Sequence, residues 1–137
     1  MKLPHIGFNK NYLIVSGIIL LIVILYVFVF PLMQPKPVTA ELNQVVLYPN
    51  GQTVLLVTVS NFKEITLNNV TVSADTVDSN IVLMGPNPKS SIIGSGEYRV
   101  FKFDVIVLGS ATQASHIIKI KAPVLNEEIS VKLEVIS

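Results

Sequence analysis

The sequence contains no cysteine, no tryptophan and only two histidines. The lack of cysteine removes disulfides, thiolate metal sites, cysteine nucleophiles and lipid-modified cysteine anchors. Charge is scarce as well: 14% of residues are charged and the formal net charge is +1. That balance gives no electrostatic case for nucleic acid or for a strongly acidic partner. Nine of the ten basic residues are lysine, a composition bias that points to no function. What the chain has in excess is apolar surface. Half of its residues are hydrophobic and its mean hydropathy is +0.61. These values are high for a soluble domain and point to a membrane segment.

At 137 residues the chain fits one domain plus an accessory segment. The accessory segment is N-terminal. Lys10 and Lys36 bracket 25 residues without a charge, and residues 12–32 are nearly all Ile, Leu, Val, Phe and Tyr. At ~1.5 Å rise per residue this stretch makes a helix of roughly 31 Å, the thickness of the hydrocarbon core of a bilayer. A buried soluble helix is the poorer reading, because so small a chain could not surround such a rod. Tyr12 would anchor one boundary, Ile18 and Leu25 the apolar body, and Phe30 the other half, beside Tyr26 and Phe28. Pro31 marks the last turn, and Pro35 and Pro37 forbid continuation. GxxxG is absent; Ser16-Gly17 is the only small pair in the helix.

Two processed forms compete with an intact anchor. Val38-Thr39-Ala40 places small residues where a signal peptidase cleaves, although the apolar run is longer than the ~7–15 residues of a secretory signal. Gly7-Phe8 ahead of an apolar helix resembles a prepilin cleavage junction, with Tyr12 where a mature pilin carries glutamate and with Lys10 intruding. Lys2, Lys10 and the α-amine on the N-terminal flank, against Lys36 followed by Glu41, place residues 1–11 in the cytoplasm and the rest outside the cytoplasmic membrane. Residues 33–39 read as a short Pro-rich spacer, extended at ~3 Å per residue, that keeps the domain close to the bilayer.

From residue 40 the hydrophobic period changes to two. Val70-Thr71-Val72-Ser73-Ala74-Asp75 alternates without error, as does the run from Ile129 to Val135. Phe101, Phe103, Val105 and Val107 share one face of a third segment. Such alternation means strands with one buried side. Pro49-Asn50-Gly51 reads as a hairpin turn between strands at 41–48 and 52–60. Gly85-Pro86-Asn87-Pro88, Gly94-Ser95-Gly96, Gly109-Ser110 and the stretch from Pro123 to Asn126 separate the remaining strands. The expected architecture for residues 40–137 is all-β: a seven-stranded, immunoglobulin-like β-sandwich preceded by one transmembrane α-helix.

Several segments carry a family likeness. Ser60-Asn61 follows an apolar strand. Leu67-Asn68-Asn69-Val70-Thr71-Val72 comes next, and Ile92-Ile93-Gly94-Ser95-Gly96-Glu97 leads into Val100-Phe101-Lys102-Phe103-Asp104-Val105. This order resembles CARDB-type and related bacterial and archaeal immunoglobulin-like adhesion modules over most of residues 42–136. The layout of one helix and one such domain is also similar to the archaellum stator subunits of archaea, which contact the surface layer; no residue motif carries that second likeness. The resemblance implies a cell-envelope binding or scaffolding module with a protein partner, or a structural subunit of a surface appendage.

Few side chains suggest chemistry. His116 has no nucleophile selected beside it by spacing, although Asp104, Ser110 and Ser115 are present, and it reads as an edge-strand or loop residue. His5 lies in the tail. A cupredoxin copper site would need a cysteine and two histidines in the domain. Asp75, Asp78 and Asn80 offer oxygens of the kind Ca²⁺ takes, but such residues also populate turns for backbone reasons. Asn69-Val70-Thr71 is the one N-glycosylation sequon, so Asn69 is a possible glycan acceptor. Lys119, Lys121 and Lys132 read as a solvated sheet face. Ser90-Ser91-Ile92-Ile93 reads as an apolar patch inside a long loop, plugging the sandwich or docking a partner. The expectation is thus a non-enzymatic protein in a lipid bilayer, with a protein partner and no cofactor, metal, nucleic acid or small-molecule substrate.

Overall fold

The computed structural model describes residues 10–136. Most of the expected cytoplasmic tail, with Lys2, His5 and the Gly7-Phe8 junction, lies outside the described residues, as does Ser137. The chain divides into two compact units, Met1–Pro35 and Lys36–Ser137.

The first unit is a helix of three parts. An α-helix, α1 (Lys10–Ile24), runs into a π-helical stretch (Leu25–Val29) and then a last α-helical turn, α2 (Phe30–Met33). The widened turn has a cause in the sequence. Pro31 has no N–H to give the carbonyl of Val27, and its ring would clash there. The turn ahead of it opens instead, and the Phe30 N–H bonds the Leu25 carbonyl five residues back. The Tyr26 and Phe30 rings stack with centroids 5.3 Å apart. The Ser16 hydroxyl donates to the Leu13 carbonyl at 3.0 Å, which satisfies it within the helix itself. Asn11–Met33 spans 23 residues, is long and apolar enough to cross a membrane, and has no buried residue. Tyr12, Ile18, Leu25 and Phe30 are all exposed on it.

The second unit contains nine strands rather than seven. They are β1 (Val38–Leu42), β2 (Val46–Leu47), β3 (Gln52–Ser60), β4 (Leu67–Thr76), β5 (Ile81–Met84), β6 (Lys89–Ile93), β7 (Tyr98–Val107), β8 (Ala114–Ala122) and β9 (Glu127–Val135). One sheet has the order β1-β3-β7-β5 and the other β2-β9-β8-β4-β6. All pairings are antiparallel except β2 with β9. Leu55, Val57, Phe103 and Val105 from the first sheet pack with Val72, Ile118, Ile120 and Leu133 from the second in one buried core. The alternations expected from the sequence hold in β4, β7 and β9.

Both additional strands come from tertiary pairing. The segment expected as one strand over 41–48 divides between the sheets. β1 pairs with β3, and β2 crosses to lie parallel to β9. β1 also begins at Val38, so Val38 and Thr39, read as linker, belong to the first sheet. The Ser60 N–H bonds the Pro37 carbonyl at 2.8 Å, which ties that proline to the domain too. Pro49-Asn50-Gly51 is a turn, but it joins the two sheets and is not a hairpin. Gly51 N–H closes on the Tyr48 carbonyl at 2.9 Å and Asn50 sits at φ 66°, the type II pattern that Asn tolerates at its third position. A Cβ on Gly51 would lie 2.8 Å from that carbonyl oxygen. The stretch Ser90-Ser91-Ile92-Ile93 is not loop: it belongs to the edge strand β6, with Ile93 buried and Ile92 exposed.

The end of the sandwich where β1 begins is closed by one side chain. Asn61 follows β3 and is 1% exposed. Its Nδ2 donates to the carbonyls of Ile65, Ile93 and Gly94 at 2.7, 3.1 and 3.0 Å. Its Oδ1 accepts the Lys63 N–H at 3.0 Å. Its backbone N–H bonds the Glu97 carbonyl, and its own carbonyl takes the Gly96 N–H, both at 2.9 Å. One carboxamide therefore fixes the β3–β4 loop against the β6–β7 turn, where Gly96 adopts φ 71°. The Asn and Gly-x-Gly-Glu positions of the family-like pattern are thus structural.

The two outward faces differ. On the four-stranded sheet, cross-strand rows read Thr39-Thr58-Val100, Glu41-Leu56-Lys102, Val54-Asp104-Met84 and Gln52-Ile106-Val82. This face is mostly apolar and threonine. On the five-stranded sheet the outward residues include Asp75, Lys119, Lys121, Glu128, Ser130, Lys132 and Glu134. The expected solvated face of Lys119, Lys121 and Lys132 is present there.

Asn61→Ala removes the amide that donates to the carbonyls of Ile65, Ile93 and Gly94. Full-length protein in mild detergent should lose about 2–4 kcal/mol of domain stability, read as a lower urea midpoint of the β-sheet circular dichroism signal at unchanged slope.

Candidate functional site

The opposite end of the sandwich carries the turns at residues 48–51, 77–80 and 108–111. The middle turn is built from short polar side chains. The Asp78 N–H donates to Thr76 Oγ1 at 3.3 Å. Asp78 Oδ1 accepts the Asn80 N–H at 2.8 Å, an Asx-turn. The Ile81 N–H closes the turn on the Asp78 carbonyl at 3.2 Å. The 108–111 turn is tied to it, and the 48–51 turn to the end of β7. Leu108 N–H donates to the Asn80 carbonyl at 2.8 Å, and Ser110 Oγ donates to Asn80 Oδ1 at 2.8 Å. The Asn50 N–H reaches the Val107 carbonyl, and Val107 N–H reaches the Gly51 carbonyl, both at 2.9 Å.

A half-buried pair of side chains, His116 and Asp78, underlies the turn. His116 Nδ1 lies 2.7 Å from Asp78 Oδ2. Spacing suggested an edge-strand or loop histidine; the structure corrects this. β8 lies between β9 and β4, and His116 shares its inward face with Ile118, Ile120 and Ala122, at 6% exposure. The alternation contained the signal, because His116 is in phase with those apolar residues. Nδ1 faces Asp78, while Nε2 is buried and has no hydrogen-bond partner among the described residues. The Asn80 backbone N–H holds the Asp78 carboxyl below the ordinary aspartate range, assisted by His116, while burial acts in the opposite direction.

The other sequence candidates disperse. Ser115 and Asp104 are exposed on outward strand positions, and Ser110 serves Asn80. The three oxygen-bearing residues weighed for Ca²⁺ each turn an oxygen to a donor of the chain itself: Asp75 to Thr76 N–H at 2.9 Å, Asp78 to Asn80 and His116, and Asn80 to Ser110. Among the described residues, no group of three or more His, Cys, Asp or Glu gathers into a metal-binding cluster. Asn69 is exposed at φ 54°, at the register shift between Leu67 and Val70 in β4. Asn tolerates that left-handed conformation, so the bulge alone accounts for its presence.

What this end offers is a rigid, solvent-facing surface. Val77 is 91% exposed at the tip of the pinned turn, and Tyr48 and Leu108 stand exposed on or beside the two tied turns. A shallow cleft of about 490 Å³ beside the pair is lined by Thr76, Ser79, Ser115 and Lys119 among others.

No protein-family profile matches the chain, and no curated protein does. Solved structures do. The CARDB domain of the PF1109 protein from Pyrococcus furiosus, solved in complex with di-metal ions, superposes with a TM-score of 0.55 at 16% identity, covering 72% of this chain and 87% of that one. Escherichia coli alpha-2-macroglobulin in its native conformation gives a TM-score of 0.55 at 16% identity, over 74% of this chain and 7% of that one. The alkylpurine DNA glycosylase AlkC of Pseudomonas fluorescens, bound to DNA with an abasic-site analogue, gives 0.53 at 13% identity, over 76% of this chain and 32% of that one. This chain therefore spans only a small part of the two larger proteins. At these identities the likeness is one of fold. The sandwich has a CARDB-like fold, and with an apolar N-terminal helix long enough to span a bilayer the chain has the make-up of a membrane-anchored module.

The acid dependence of the Asp78 contribution has a definite sign. A carboxyl whose pKa is lowered on folding stabilises above its unfolded value of ~3.9, and that stability is lost as pH falls through the lower folded value. Asp78→Asn should therefore lower the urea midpoint relative to wild type at pH 7, and the gap should close as pH is taken below about 3.9.

Proposed function

We propose that the chain is a single-pass protein of the cytoplasmic membrane, with its N-terminus inside, that holds its sandwich outside as a non-enzymatic binding or scaffolding module for another protein of the envelope or of a membrane complex. One observation carries the reading: the 77–80 turn is hydrogen-bonded to the 108–111 turn and pinned from beneath by Asp78 and His116, with Val77 held out at 91% exposure. A turn ordered in advance avoids most of the entropy cost of being ordered on binding. End loops on a rigid scaffold are where such domains carry recognition. The orientation is supported by Lys2 and Lys10 on the N-terminal flank.

A second reading, a structural subunit of a surface appendage, pilin-like or archaellum-stator-like, rests on the same pairing of one apolar helix with one sandwich. In that case the helix is the assembly element. Placement outside also makes Asn69 a candidate glycan acceptor, since it is exposed and begins the sequon.

Full-length protein purified from native membranes in mild detergent should carry one envelope or membrane-complex protein in fixed ratio, and Val77→Asp should reduce its recovery about tenfold without changing the urea midpoint. A chain that elutes only with copies of itself would favour the appendage reading. Asn69→Gln should remove a glycan mass increment from the intact protein if the domain is exported past a glycosylation system.

A further inference from the structure

The outward face of the four-stranded sheet has a pattern that pairs with itself. Leu56 stands at its middle on β3. Glu41 on β1 lies directly opposite on one side and Lys102 on β7 directly opposite on the other. At ~4.8 Å between strands the two charges are about 10 Å apart. Among the described residues neither takes part in an ion pair. The same face carries Val54, Thr58, Val100 and Ile106. We propose that this face is an interface with a second copy of the chain, related by a two-fold axis that runs along β3 above Leu56.

Geometry selects that axis. A two-fold axis parallel to the strands exchanges left and right across the sheet but keeps the two ends. It places the Glu41 of one copy over the Lys102 of the other, twice, around facing Leu56 side chains. An axis across the strands would instead place Glu41 over Glu41 and Lys102 over Lys102. Closed two-fold interfaces are self-complementary in this way. The strand-parallel axis also leaves the start of β1 of both copies at the same end of the pair, so both chains can enter from one bilayer. The perpendicular axis would put the two starts at opposite ends.

Size sets the strength. The axis sets β1, β3 and β7 against the other copy; three strands ~4.8 Å wide and nine residues of β3 at ~3.3 Å rise give a face of roughly 400 Å² per copy, about half the share of a standard stable interface. Such a dimer is weak in dilute solution and becomes populated when both copies are tethered in one membrane, where the effective concentration is high.

The chain has no native cysteine, which makes a thiol test clean. Thr58→Cys lies on the proposed axis, and Ser130→Cys lies on the outward face of the other sheet. Full-length protein reconstituted in phosphatidylcholine–phosphatidylglycerol vesicles would be treated with a bis-maleimide spanning ~10 Å, the separation of packed sheets. Thr58→Cys should give a covalent dimer and Ser130→Cys should not. Adding Glu41→Lys should lower the dimer yield about tenfold, Lys102→Glu should do the same, and Glu41→Lys with Lys102→Glu should restore it, because each single change turns two attractions into repulsions. No cross-link at Thr58→Cys overturns the proposal. So does a cross-link that survives Glu41→Lys, which would mean association through the helix, or one that the double exchange does not restore. Recovery of the co-purifying partner through Val77 is read separately, so either idea can fail alone.

Discussion

Two sheets with no disulfide between them are held by side chains that alternate across the gap, and every other feature of this domain depends on that period of two. Phe101, Phe103, Val105 and Val107 on β7 face Val70, Val72 and Ala74 on β4 and Ile118 and Ile120 on β8 through one continuous core. A one-residue slip in any of these strands would turn its apolar set to water. The register is therefore fixed by burial, and the polar closures at the two ends have only to stop the strands from fraying.

The closures differ in chemistry. At the end where β1 begins, Asn61 is neutral, almost fully buried and bonded to backbone on both its nitrogen and its oxygen. A neutral amide is cheap to bury once it is satisfied, and it leaves nothing at the surface that responds to pH. At the other end Asp78 and His116 share the task. Asp78 is partly open to solvent and His116 is not. A charged hydrogen bond there holds the turn more firmly than a neutral one, at the cost of sensitivity to acid. That pair lies beneath the turn that presents Val77.

Strands whose partner face is decided by their own sequence were legible from it; strands decided by tertiary contact were not. Val70 to Ala74, Phe101 to Val107 and Ile129 to Val135 declare their buried side by alternation alone. Residues 41–48 look like one strand because apolar residues recur along them. The chain changes sheets near Asn43 and Gln44, where Asn43 N–H still bonds Val54 and Gln44 N–H bonds Thr53 Oγ1, before the Glu134 N–H takes the Val45 carbonyl. Nothing local in the sequence announces that change. β6 was hidden among Gly, Pro and Ser residues, because its ladder is supplied by β4. Asn87 extends that pairing with its side chain, its amide meeting both the N–H and the carbonyl of Ala74. Asn61 was visible as part of a family-like pattern, but its six hydrogen bonds join loops more than thirty residues apart. His116 was in phase with its apolar neighbours, and only its partner, Asp78, required the structure.

The helix and the sandwich also divide the energetic work. An exposed sheet face carrying Leu56, Val54, Val100 and Ile106 invites association, yet its area is too small to hold two dilute copies together. A soluble domain with such a face would gain little from it. Confinement to a bilayer changes the balance, since two anchored copies meet at an effective concentration that a small face can exploit. The helix needs no sequence-specific contacts of its own for this: a uniformly apolar surface, a self-satisfied Ser16 and a proline-induced π turn are sufficient for an anchor. The specificity then lies wholly in the domain, where one glutamate and one lysine on either side of a leucine decide which way a second copy can face.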